Sequence, residues 1–583
     1  MPKVLLLSVL FLGLGFGNIQ AQKIADVLPE NTILYGYAND FKRMYDNYFQ
    51  LYFGARGHEV EDKLKGIIQK LVSSPNLEAA GFSQEFIQNT LANINGIHLA
   101  FLGMGPGMPN LLIAIEVRDE AHYANILSNP QMLGGLLMPG EYAGVPIYST
   151  QMPVPVDITL YQNHLIVTNQ PGLINQIIDS KFNISPNLSG NPRYKKFASL
   201  QRPGHCMTLF VDIASGLNLL KMMGATNDPE FQMANSILEL DKLEVLGIQV
   251  SADNQSSSLA LHLTMNPSHS FYNAIRVEPA PRRIAQVLPG RVLFSATSSL
   301  GNASEYLNRV IGFIASAASK SGGPPVQQQI QMMEKQMGYT LNELMSHVGS
   351  EISLFALPVD GMDVKNVRPD MVADRFGLAV AILDVNKAKA FADRLFNSPM
   401  IAKNLQPANW KSEVYNGTTI RSNVPRPEMP IGLFYAFVTH PASGTYLVVA
   451  PSATAIKECV DAASGGNSLA TSRGYQIAFE LMNVTSSREF YIDLSSLLLL
   501  LKSMPEMAPF AGMFESSMSS DTPQQFAVVT VEKAGAFSLL TIVKSVPQDM
   551  TDAVLEQLNM LEMFIPAGGN TGGSPFSRPT KEE

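Results

Sequence analysis

The stretch Ile24-Ala25-Asp26-Val27-Leu28-Pro29 recurs 260 residues downstream as Ile284-Ala285-Gln286-Val287-Leu288-Pro289. Six residues are a weak signal alone, but further matches follow in the same order. Ala80-Gly81-Phe82-Ser83, a helical stretch and Ile97-His98-Leu99 parallel Met337-Gly338-Tyr339-Thr340, a helical stretch and Ile352-Ser353-Leu354. Ala114-Ile115, Tyr123-Ala124 and Asn129-Pro130 correspond to Ala381-Ile382, Phe391-Ala392 and Ser398-Pro399. Tyr142-Ala143-Gly144 corresponds to Tyr415-Asn416-Gly417, and Arg193-Tyr194 with Phe210-Val211-Asp212 to Gly474-Tyr475 with Tyr491-Ile492-Asp493. The offset drifts from 260 through 255 to 281, as it does in two diverged copies with loop insertions. The largest insertion in the second copy, Val359 to Val372, is rich in Asp, Pro and Met, where a longer surface loop is tolerated.

The repeat sets the expected organisation. Residues 22–266 form copy one, 267–283 with Pro279 and Pro281 a linker, 284–546 copy two and 547–565 a C-terminal helix. The Gly-rich tail 566–583 has too little apolar content to pack. Each copy opens with a strand (Thr32 to Tyr37; Val292 to Ala296) and a helix, and closes with a hairpin (Val245 to Ala252 with Ser258 to Thr264; Ala527 to Glu532 with Phe537 to Val543). Hairpins interleaved with helices predict an α+β fold: two tandem copies of an antiparallel sheet with helices packed on one face.

Composition narrows the class. The 583 residues carry 41 basic and 50 acidic side chains, a net charge of -9, and only 16% charged residues against 46% apolar ones. That is too apolar for a disordered chain, and the acidic balance argues against nucleic acid as a partner. Two cysteines make neither a disulfide framework nor a four-cysteine metal site. Cys206 and Cys459 do not occupy matching repeat positions, which favours two separate thiols over a bridge.

Lys3, the apolar stretch Val4 to Phe16, broken only by Ser8, and a small residue at Ala21 form the pattern of an export signal over residues 1–21. A stretch of thirteen residues is too short for a transmembrane helix, and the stretch Leu494 to Leu501 is shorter still. The expectation is an extracytoplasmic chain, periplasmic or secreted, with no transmembrane segment after signal cleavage.

No motif implies a cofactor, a metal or a catalytic residue. Gly103-Met104-Gly105-Pro106-Gly107 is followed by Pro109 and a strand rather than a helix that could hold a phosphate, so it reads as a hairpin loop. The nine histidines show no metal-ligand spacing, and no nucleophile elbow is present. Asp212 and Asp493 each follow an apolar strand and precede a Leu-rich helix, the setting of a structural helix cap. Methionine is abundant at 28 residues, and flexible Met suits either promiscuous apolar contact or gap-filling core. The segment Met504 to Ser520 has few charges and two prolines, so Met504, Met507, Phe510, Met513 and Phe514 are candidates for contact with a partner or apolar ligand.

The repeated Ile-Ala-x-Val-Leu-Pro opening resembles a family of exported bacterial proteins known only as a domain of unknown function. So does Gly338-Tyr339-Thr340-Leu341-Asn342-Glu343-Leu344 running into Val348-Gly349-Ser350-Glu351-Ile352-Ser353-Leu354. The ending Gln20-Ala21-Gln22 is similar to export signals of Bacteroidetes. The resemblance implies an envelope or secreted setting and supplies no catalytic residues. Three functions stand side by side: a non-enzymatic binding or scaffolding protein of the envelope, a carrier or sensor of an apolar ligand, and a hydrolase whose site is assembled only by tertiary folding.

Overall fold

The computed structural model describes residues 22–39, 56–72, 89–90, 93–105, 108–128, 137–150, 155–201, 205–252, 257–278, 282–320, 322–358, 374–396, 410–423, 432–480, 487–493, 496–497, 500–501, 525–533, 536–544, 554–556 and 558–559. Copy one contributes β1 (Leu34–Asn39), β2 (Ile94–Met104), β3 (Pro109–Val117), β4 (Leu137–Tyr142), β5 (Val145–Thr150), β6 (Asp157–Tyr161), β7 (His164–Thr168), β8 (Met207–Asp212), β9 (Leu243–Ala252) and β10 (Ser257–Met265). Their spatial order is β4-β5-β6-β7-β3-β2-β1-β8-β9-β10, antiparallel throughout.

Copy two contributes β11 (Phe294–Ser299), β12 (Val348–Ala356), β13 (Phe376–Ile382), β14 (Trp410–Tyr415), β15 (Thr418–Asn423), β16 (Leu433–His440), β17 (Gly444–Ala450), β18 (Arg488–Asp493), β19 (Gln525–Lys533) and β20 (Ala536–Lys544). It repeats the order strand for strand as β14-β15-β16-β17-β13-β12-β11-β18-β19-β20. The two orders meet where β10 pairs antiparallel with β20, from Ser257 opposite Val543 to Thr264 opposite Ala536. The duplicated chain is thus joined edge to edge.

Helices fill the connections: α1 (Glu120–Ser128), α2 (Leu173–Asp179), α3 (Pro192–Ala198), α4 (Ile213–Met222), α5 (Pro229–Leu238), α6 (Ser270–Ile275), α7 (Ala303–Lys320), α8 (Val326–Met337), α9 (Val385–Phe396), α10 (Ala453–Ala463) and α11 (Arg473–Glu480). Strand alternation decides which face they cover. On one face Tyr35, Ala100, Leu112, Ala114, Ile166 and Phe210 pack against Ile174 and Ile177 of α2 and Tyr194 and Phe197 of α3. In copy two Phe355, Ala379, Val448 and Tyr491 meet Ile456 and Cys459 of α10 and Tyr475 of α11. The expected one-face layer is present, and a smaller cover joins it on the opposite face. There Tyr123 and Leu127 of α1 pack on Ile115, Val117 and Leu165, and Ala392 and Phe396 of α9 on Tyr435.

The hexapeptide that betrays the repeat is itself core. Ile24, Ala25, Val27 and Leu28 are buried in one copy, and Ile284, Ala285, Val287 and Leu288 in the other. Burying a Val, Leu or Ile side chain contributes about 1.5–3 kcal/mol, so the motif stabilises each unit. Pro29 and Pro289 then bridge to Asn187 and Ser468 at matching places.

The Tyr-x-Gly repeat closes two hairpins that periodicity does not predict. Ala143 and Gly144 have φ of 50° and 81°, and Asn416 and Gly417 have 44° and 76°. Positive φ at both central residues is the tight turn whose twist fits an antiparallel hairpin, and glycine supplies it without strain. The tyrosines just before these turns tie back to helices: Tyr142 Oη donates to Asp179 Oδ2 at 2.7 Å and Tyr415 Oη to Asp461 Oδ2 at 2.9 Å.

Between the copies, α6 packs on α7, with the Phe271 and Phe313 rings 5.6 Å apart, and Arg309 Nη2 donates to Arg276 O at 2.8 Å. Neither Cys206 nor Cys459 is in a disulfide, and both are buried. Among the described residues no helix is long and apolar enough to cross a membrane.

Candidate functional site

The site grows out of the segment that follows the buried motif. Asn191 precedes α3, and its Oδ1 accepts from Arg193 N at 2.8 Å and Tyr194 N at 3.3 Å, so it caps the helix. Its Nδ2 donates to Glu30 O at 2.8 Å, fastening the turn after Pro29 to the helix start. Pro192 occupies the first helical position, where its missing N–H is no loss. Arg193 comes next and reaches across to the end of β8. Its Nη1 donates to Asp212 Oδ1 and Oδ2, both at 2.6 Å, and to Ser215 Oγ at 3.4 Å.

Asp212 is 0% exposed and Arg193 37% exposed in their side chains. A buried carboxylate is tolerable only when paired and hydrogen-bonded, and Asp212 satisfies the rule by also accepting from Ser215 N at 2.9 Å. Arg193, fixed from below, lines a cavity of about 560 Å³. Glu30, Asn31, Gln176 and the loop from Ile184 to Pro186 form its other walls. The volume falls within the roughly 300–1,000 Å³ of small-molecule sites.

At the same place copy two lacks both charged side chains. Gly290 stands where copy one has Glu30, and Gly474 where it has Arg193. A Cβ on Gly290 would lie 2.7 Å from Asn467 O and 2.5 Å from Asn467 Cγ, and Gly290 N donates to Asn467 O at 2.9 Å. Asp493 keeps the capping role, accepting from Ser496 N at 3.2 Å.

A second set of polar groups lies under the helical layer. In copy one Tyr35 Oη and His98 Nδ1 are 3.0 Å apart, and Tyr37 Oη meets His205 Nε2 at 3.0 Å. Burial, with repulsion from His164, holds the His98 pKa down to about 3, so the ring is neutral. Copy two replaces this set with Thr297 donating to Ser353 at 2.9 Å and with two buried carboxylates. Glu351 accepts from Arg283 N at 3.0 Å and Tyr446 Oη at 3.2 Å, while Glu489 accepts from Tyr475 Oη at 2.5 Å and pairs with Arg282. Burial raises the Glu351 pKa despite those donors. Both sets sit inside the fold, where they link strands rather than face a cleft. Among the described residues no group of three or more His, Cys, Asp or Glu could hold a metal ion.

Of the residues singled out in the sequence, Asp212 precedes α4 and accepts from Ser215 N, and Asp493 ends β18 and accepts from Ser496 N. Met504, Met507, Phe510, Met513 and Phe514 lie outside the described residues. Arg193 escaped the sequence reading because its partner is 19 residues away on another element. One signal pointed to it: aligned copies carry Arg193 against Gly474, an exchange between a long cation and no side chain.

Comparison with known families settles membership. The model of the family described as protein of unknown function (DUF3352) matches residues 97–374 and again 342–532, together more than half of the chain. The chain belongs to the DUF3352 family. Two overlapping matches to one model are consistent with the tandem duplication. No curated protein matches the DUF3352 chain. Among solved structures, crystal forms I, III and IV of TP0453 are similar to it at 12%, 11% and 11% identity. They cover 43%, 44% and 45% of this chain and 81%, 88% and 91% of their own, each with a TM-score of 0.23. A TM-score that low carries no argument about function.

The DUF3352 chain also presents apolar surface. Leu354, Phe376, Leu378, Leu433 and Val449 line a groove of about 340 Å³ on the sheet face away from the main helical layer. On the helices Met222, Met223, Met233 and Met332 are 58–79% exposed.

Proposed function

We propose that the protein is an extracytoplasmic, non-enzymatic binding or scaffolding protein of the bacterial envelope. The observation that carries the reading is the asymmetry of the duplication. One scaffold position is a cavity lined by a fixed arginine in copy one, whereas copy two carries Gly290 and Gly474 there, with Asn467 against Gly290. A binding role accounts for that divergence, since one copy supplies the site and the other extends the sheet. The apolar run Val4 to Phe16 and Ala21 supports export.

The test is native mass spectrometry of the protein isolated from the envelope of its source organism, with cell fractionation alongside. A cleaved chain in the envelope fraction, carrying a ligand or partner mass, is expected. An uncleaved cytosolic chain overturns the export half. Turnover of an envelope substrate that a point substitution abolishes overturns the non-enzymatic half.

A second reading, a carrier or sensor of an apolar ligand, is favoured by the apolar groove beside Leu354 and Phe376. A lipid-like adduct surviving gentle purification would select it over the first.

A further inference from the structure

Resting on that binding reading, we propose that the copy-one cavity recognises a small zwitterionic ligand, a free amino acid or short peptide, through its carboxylate at Arg193. A guanidinium offers two paired-donor edges. Arg193 spends Nη1 on both Asp212 oxygens and Ser215 Oγ, which leaves Nε and Nη2 without a partner among the described residues. Those two parallel N–H groups form a planar fork that matches the two oxygens of a carboxylate. Asp212, fully buried, fixes the fork before any ligand arrives, so little side-chain freedom is lost on binding.

Charge decides between carboxylate and phosphate. Arg193 is already neutralised by Asp212, and Glu30 adds a negative charge to the cavity wall. A dianion would meet net repulsion there. A single carboxylate accompanied by an ammonium group meets Arg193 with one end and Glu30 with the other. The exposed amides of Asn31 and Gln176 complete the wall and suit a peptide unit. Copy two, with Gly474 and Gly290 at the corresponding places, has neither charge.

The experiment is isothermal titration of the mature full chain with alanine, dialanine, dialanine amide, N-acetyl-dialanine and inorganic phosphate. Saturable binding of alanine or dialanine is expected, weakened about tenfold or more in the amide, which lacks the carboxylate, and in the acetylated form, which lacks the ammonium. Alanine against dialanine separates a free amino acid from a peptide as the source. Arg193→Lys keeps the pair with Asp212 but removes the fork, and should weaken binding about tenfold or more. Should that variant not fold, Gln176→Trp fills the cavity from an exposed position without touching the ion pair, and should abolish binding. The proposal is overturned if neither alanine nor dialanine binds up to about 10 mM. Equal binding of the amide, preferential binding of phosphate, or binding unchanged in the folded variant overturns it equally. A negative result leaves the envelope-binding reading standing, whereas turnover of the bound ligand would defeat that reading and keep the site.

Discussion

The two copies share a scaffold and differ in what they bury beneath it. Both keep the hexapeptide core, the positive-φ hairpin turn, the Tyr–Asp tether and, at the end of the eighth strand, a carboxylate that accepts from the backbone N–H three residues on. In copy one that carboxylate is fully buried and leans on Arg193, whereas in copy two the facing position is Gly474. Copy one has a Tyr–His layer and copy two paired carboxylates. Elements that set the path of the chain are thus held in common, and polar groups whose needs are met locally have been free to diverge.

The largest test of this contrast is removal of the arginine. Arg193→Ala leaves Asp212 buried without its cation and should lower the stability of copy one by about 2–3 kcal/mol, less than for a wholly buried pair because water reaches the vacated site. Asp493→Asn removes only part of a cap and should cost about 1 kcal/mol or less. Urea unfolding followed by peptide-resolved hydrogen exchange reads the copies separately, and equal losses would break the contrast.

Gly290 in copy two gives the next effect. Gly290→Ala should cost about 1–3 kcal/mol, because the new Cβ lies against the Asn467 carbonyl. Glu30→Ala, at the matching exposed site, should change stability by less than about 0.5 kcal/mol. Thermal melting of the two variants checks the difference.

Acid should separate the copies as well. His98 titrates near 6.5 when unfolded and near 3 when folded, so between those values the unfolded chain binds more protons and stability falls as pH falls. By pH 5 the loss attributable to copy one is on the order of 2 kcal/mol. Glu351 in copy two has the opposite sign: its raised folded pKa means that stability falls as pH rises above its unfolded value near 4.5. Exchange protection of β2 against β12 at pH 7 and pH 5, corrected for intrinsic rates, should show β2 losing the larger share.

Much of the fold was legible because it lies in local pattern. The repeat and the closing hairpins could be read from alternation and from a buried hexapeptide that tolerates little change. The β4–β5 hairpin was not, since Met138-Pro139-Gly140 interrupts any alternation and Pro139 is at home on an edge strand, where no neighbour needs its N–H. Only Asn416-Gly417 in the other copy carried the turn signal plainly. The cavity was illegible for a different reason. Arg193 at the start of α3 and Asp212 at the end of β8 belong to separate elements, and a carboxylate at a helix start reads as a cap whether or not a cation sits above it.

The seam between β10 and β20 also governs the order in which the chain can be completed. With β9 on one side, Thr264 finds its other partner only at Ala536, so a chain emerging from its N-terminus holds the far side of β10 as a bare edge until nearly all of copy two has followed. Contacts so distant in sequence form late, and an unpaired edge accepts any strand of suitable pattern. Two chains waiting at that stage can exchange their last strands, so the seam that makes one sheet of two copies is also the place where two chains would become entangled.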